Sequence, residues 1–99
     1  MSHENKLRNI GHEMADVLQS LGNDYAITEV ACYPGDSAIR ITKQNSKKTL
    51  YIIAYSDPDD TEIHVYNGSD SLITYRVFPN GSIHDSTPED IADYIIGNL

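Results

Sequence analysis

The fold of this 99-residue chain is decided by residues 25–84, YAITEVACYPGDSAIRITKQNSKKTLYIIAYSDPDDTEIHVYNGSDSLITYRVFPNGSIH. Short apolar runs alternate there with turn signals, the pattern of a β meander. The spacing predicts strands over Tyr25 to Tyr33, Ser37 to Lys43, Thr49 to Tyr55, Glu62 to Tyr66 and Leu72 to Phe78. Pro34-Gly35 suits the centre of a type II turn, because Pro fixes φ and Gly accepts a positive φ. Gln44-Asn45-Ser46, Asp57-Pro58-Asp59-Asp60, Asn67-Gly68 and Pro79-Asn80-Gly81 supply the remaining turns, and Ser82 to His84 reads as a short sixth strand. No connection is long enough for a crossover helix, so the strands are expected to pair antiparallel.

A helix is expected on either side of the meander. From Asn5 to Leu21, the residues Leu7, Ile10, Met14, Val17, Leu18 and Leu21 recur at helical spacing, and Gly22 is a natural stop. A second helix begins at Thr87, which can cap it. Pro88, Glu89 and Asp90 suit its first turn, Ile91, Ala92, Ile95 and Leu99 share a face, and Gly97 marks its end. The expected fold is therefore α+β in one domain, residues 1–99. It comprises an N-terminal helix, an antiparallel meander of five to six strands and a C-terminal helix, with both helices on one face of the sheet.

Two such helices cover one face of a five-stranded sheet and leave the other bare. Strand alternation sends Ile39 and Ile41 inward, and likewise Leu50, Ile52 and Ala54, and Ile63 and Val65. The final strand is apolar on both sides. With Ile73, Tyr75 and Val77 inward, the bare face carries Tyr51, Ile53, Tyr55, His64, Tyr66, Arg76 and Phe78. Tyr and Arg are enriched at binding hot spots. Tyrosines also fill solvated sheet faces simply because they have high β propensity and polar tips.

The formal charge is −8, from 15 acidic and 7 basic side chains. That disfavours direct nucleic-acid binding, which needs cations against phosphates, and disfavours an anionic membrane surface. In a sequential meander one end of the sheet gathers Asp36, Asp57, Asp59, Asp60 and Glu62, and the other gathers Lys43, Lys47 and Lys48. The acidic end suits a basic partner surface; its plain alternative is a set of solvated hairpin tips.

Catalytic and cofactor motifs are not apparent. Asp57, Asp59, Asp60 and Glu62 lack the Gly and the ligand spacing of a calcium loop. Cys32 with His64 or His84 forms no recognised nucleophilic motif, and His3, His12, His64 and His84 lack paired zinc spacing. No Gly-rich phosphate loop follows a strand. A single Cys and an N-terminus without an apolar leader point to a reducing compartment, and the cytoplasm is the expected location.

These readings converge on a small acidic protein-binding module that is not an enzyme and carries no cofactor or metal. Its expected partner is a protein with a basic surface, and one form would be an inhibitor that mimics nucleic acid. Nine of the acids fall between Asp57 and Asp93. In size and charge the chain is similar to small phage-encoded anti-defence inhibitors and secretion chaperones, a compositional likeness that no family motif carries. The alternative is a homodimeric adaptor or chaperone-like protein that buries its tyrosine face against a twin.

Overall fold

The structure is a computed structural model that describes residues 9–30, 36–55 and 59–99. Expectations that fall on Leu7, Cys32, Tyr33, Pro34-Gly35 and Asp57 lie outside the described residues. The strands are β1 (Tyr25–Val30), β2 (Ser37–Lys43), β3 (Thr49–Ala54), β4 (Thr61–Tyr66) and β5 (Leu72–Phe78). They form one sheet in sequential order, each pairing antiparallel with the next.

Register builds the core. Ile39 lies opposite Ile52, which lies opposite Ile63; Ile41, Leu50 and Val65 make a second row. All six are buried. Burying an aliphatic side chain of this size contributes about 1.5–3 kcal/mol, so these two rows are a principal source of stability. The same cluster takes in Ile10, Met14, Val17 and Leu21 from the N-terminal segment, and Ile91, Ala92 and Ile95 from the C-terminal helix.

The N-terminal helix is shorter than its apolar period suggests. Asn9 sits in extended backbone, and its side-chain oxygen accepts from the His12 N–H at 3.0 Å. It therefore caps α1 (Ile10–Glu13), and Met14, at φ −101° and ψ 16°, separates that turn from α2 (Ala15–Gln19). The Ile10 N–H, orphaned at the helix start, donates to the Ser37 hydroxyl at 3.0 Å and ties α1 to β2. Gly22 follows with φ 88°, as a helix stop requires.

The sixth strand is not formed. Pro79–Asp85 is a 3-10 segment, kinked where Asn80 (φ 54°) and Gly81 (φ 75°) adopt left-handed backbone. Asn and Gly tolerate that conformation best, so the pair turns the chain instead of extending it. The Gly81 N–H donates to the Asp59 carbonyl at 2.6 Å, and the Asn80 N–H to the Asp60 carboxylate at 2.9 Å. The turn is thereby fastened to the β3–β4 connection, and Ile83 is delivered to the core.

α3 (Pro88–Asn98) starts where its cap indicates. The Thr87 hydroxyl accepts from the Asp90 N–H at 3.1 Å, with Pro88 in the first turn. Thr87→Ala should cost about 1 kcal/mol, measured by urea unfolding. Gly97 does not end the helix; it lies inside it, and Leu99 closes the last turn on the Ile95 carbonyl at 3.1 Å. No helix among the described residues is long and apolar enough to cross a membrane.

Candidate functional site

The residues between the buried ones on each strand line the sheet's second face. On β3 and β4 these are Tyr51 and Ile53, opposite His64 and Glu62, with Tyr66 opposite Thr49. All are half-buried, through contact with one another. Tyr51 and Tyr66 meet edge to face, with centroids 5.6 Å apart and planes at 88°. His64 lies tilted to Tyr66 at 6.4 Å and edge-on to Tyr75 at 6.1 Å. Its Nε2 is 2.8 Å from the Glu62 carboxylate, which orients the ring. Edge-to-face pairs of this kind are worth about 0.5–1.5 kcal/mol each beyond the area they bury. The rings therefore form a preorganised strip rather than separate mobile side chains.

Beside that strip is a depression of about 460 Å³ lined by Thr49, Tyr51, Ile53, His64, Tyr66 and Asp70. It is shallow and has both aromatic and polar walls. Among the described residues no three His, Cys, Asp or Glu side chains come together as a metal cluster.

Two residues expected on this face lie elsewhere. Phe78 pairs with Thr61 and is 4% exposed, inside the core cluster; it is not a surface residue. Arg76 pairs with Ile63, on the core-facing side of β4. Its guanidinium lies 4.6 Å from the Phe78 ring centre and 5.6 Å from that of Tyr94 in α3. Arg76 thus covers the rim of the core and bridges β5 to α3. Arg76→Ala should lower stability by about 1 kcal/mol in thermal or urea unfolding, the worth of a solvent-accessible cation over a ring.

The reason is register. Ile73, Tyr75 and Val77 are the more apolar set, but β5 is the edge strand. It is Phe78, next to the 3-10 segment, that reaches the core. Leu72, Ile73, Tyr75 and Val77 are consequently left 42–59% exposed. Tyr75 and Val77 belong to the second face, opposite His64 and Glu62. A register shift between Val65 and Tyr66 passes over Ile73 and brings Leu72 opposite Tyr66. Only the apolar character of these four was available in the sequence; the expectation that Ile73, Tyr75 and Val77 face inward is not met, since all three are exposed.

The sequential strand order also sorts the turns. The strand ends at Ala54, Thr61 and Phe78 lie together, and with them Asp36, Asp59, Asp60 and Glu62. Asp59 and Asp60 are held there by the bonds from Gly81 and Asn80. Asp57 lies outside the described residues. Tyr55, at the end of β3, is half-buried, and its N–H donates to the Asp60 carbonyl at 2.8 Å. At the opposite end, a side chain at Gly68 would come within 3.0 Å of Lys47, so the β2–β3 and β4–β5 turns touch. Lys43 lies over the Tyr25 ring at 5.9 Å. Asp70 is at this end too and offsets part of its positive charge.

No protein-family model, curated protein or solved structure matches this chain.

Proposed function

We propose that the chain is a small protein-binding module that acts by occupying a partner's surface and performs no catalysis. The observation that carries this reading is the ordered aromatic strip of Tyr51, Tyr66, His64 and Tyr75 on the second face. Rings already held by neighbours lose little freedom on docking, which is how aromatic residues come to dominate binding energy.

The reading places both helical segments over the buried face and leaves the second face bare. Three observations support that arrangement. The buried residues of α1, α2 and α3 share one cluster with Ile39, Ile52 and Ile63. The Ile10 N–H bonds to Ser37. Arg76 spans from β5 to Tyr94.

The acidic end formed by Asp36, Asp59, Asp60 and Glu62 would orient a partner with a basic surface and raise its association rate. A groove that normally holds nucleic acid is one such surface. Mimicry of phosphates would then come from carboxylates at the sheet end, while the apolar hot spot lies on the second face.

The test is capture of a partner, from cells that express the chain natively, on immobilised wild-type protein and on the Tyr51→Ala/Tyr66→Ala double variant. Retention by the wild type and loss by a folded variant is the expected outcome. Equal retention by both would remove the strip from the binding surface.

A further inference from the structure

The least explained feature of the molecule is the outer edge of the sheet at β5. Leu72, Ile73, Tyr75 and Val77 are 48%, 49%, 59% and 42% exposed, and they make up four of the six large apolar residues left exposed among those described. No strand among the described residues pairs with the outer side of β5. A strand edge normally carries charge to prevent pairing. In a chain with 15 acidic residues, β5 has none, and its one charged side chain, Arg76, is drawn over Phe78 and Tyr94.

We propose that β5 is a self-association edge, and that its occupant is β5 of a second copy of this chain, running antiparallel about a two-fold axis at Tyr75. This goes beyond the partner-binding reading because it uses the rim of the sheet; it shares Tyr75 with the aromatic strip and leaves Tyr51, His64 and Tyr66 of each copy open.

Self-complementarity supports this choice of partner. An axis at Tyr75 sets Tyr75 against its own counterpart, Ile73 against Val77, and Thr74 against Arg76. Apolar residues meet apolar ones, and the two arginines are not opposed. An isologous contact requires this kind of pairing. Charge placement agrees with it. Reversing one copy lays the end bearing Asp59 and Asp60 beside the partner copy's β4–β5 turn, against which Lys47 packs. Asp70 lies within that turn and moderates the attraction.

Area sets the strength. Four side chains exposed to this degree present on the order of 400 Å² per copy, so the contact falls at the small end of specific interfaces. The register irregularity at Ile73 shortens the regular pairing to the centre of the strand. The dimer is therefore weak and concentration-dependent, with a dissociation constant in the micromolar range or above.

The experiment is light scattering on the intact chain from about 2 μM to 500 μM, a range chosen to cover the micromolar regime. The weight-average mass should rise from 11.0 kDa towards twice that value. Tyr75→Lys should weaken association at least about tenfold because like charges then meet on the axis, and Val77→Lys should do so because it sets a charge against Ile73 of the second copy. Ile27→Lys, on the opposite edge strand, should leave it unchanged. In a Cys32→Ser background, Tyr75→Cys should crosslink to its counterpart on oxidation, since Cα atoms paired across antiparallel strands are within disulfide reach. A chain that stays at 11.0 kDa throughout and gives no crosslink overturns the proposal. So does a dimer that survives both lysine substitutions. Neither result bears on the Tyr51 and Tyr66 capture test, so the two proposals fail separately.

Discussion

Phe78→Ala should lower the free energy of unfolding by about 3–5 kcal/mol, the range for emptying a buried aromatic site. Phe78 is 4% exposed, packs in the main cluster and supports the guanidinium of Arg76. The substitution therefore removes the ring's own burial, leaves a cavity in the main cluster, and takes away the platform that holds Arg76 towards Tyr94. Few single changes in so small a domain would cost more, since total stability is typically about 5–15 kcal/mol. Urea unfolding monitored by circular dichroism measures it. Tyr75→Ala, one strand position from Arg76 but pointing to the other face, should cost under about 1 kcal/mol, as surface sites do. A Phe78→Ala protein as stable as the wild type would place that ring on the surface and reverse the assignment of β5.

The second large effect concerns binding. Tyr51→Ala with Tyr66→Ala removes both members of the edge-to-face pair and the walls of the depression beside it. Each ring behaves as a hot-spot residue if the second face docks a partner, at about 2 kcal/mol or more apiece, so affinity should fall by roughly a thousandfold. The two substitutions remove mutual contacts worth about 0.5–1.5 kcal/mol, so the melting temperature should fall by about 2–12 °C and the variant should still fold. Substitution in the core rows would do the reverse, abolishing the fold and binding together. A double variant that unfolds would show that these rings support the structure; one that binds normally would show that the partner docks elsewhere.

Much of the meander was legible in the sequence because local signals agreed. The bounds of β2 and β5 match the apolar runs, since Gln44-Asn45 and Asn67-Gly68 interrupt them with residues suited to left-handed backbone, and Asn45 has φ 68°. The buried face of β2, β3 and β4 followed from alternation. The orientation of β5 did not, because Ile73-Tyr75-Val77 and Leu72-Thr74-Arg76-Phe78 are both plausible inner sets. A slip of one residue exchanges them, and only the pairing of Thr61 with Phe78 decides.

The N-terminal helix was overextended for a different reason. A helical period persists through any segment whose apolar residues face one core, whether or not the backbone is continuous. The buried stripe of Ile10, Met14, Val17 and Leu21 is as read, but it is carried by two short turns on either side of Met14. At Pro79-Asn80-Gly81 the turn itself was legible. Its consequence, that Ile83 enters the core on a 3-10 segment, depended on the hydrogen bonds to Asp59 and Asp60.

The most direct measurement is a methyl and aromatic NOESY spectrum of the labelled protein. If a single sheet face is shielded, methyls of Ile91 and Ile95 will show cross-peaks to Leu50, Ile52 and Ile63 and none to the rings of Tyr51 or Tyr66. Cross-peaks from those α3 methyls to either ring would put the tyrosines under a helix and contradict the account.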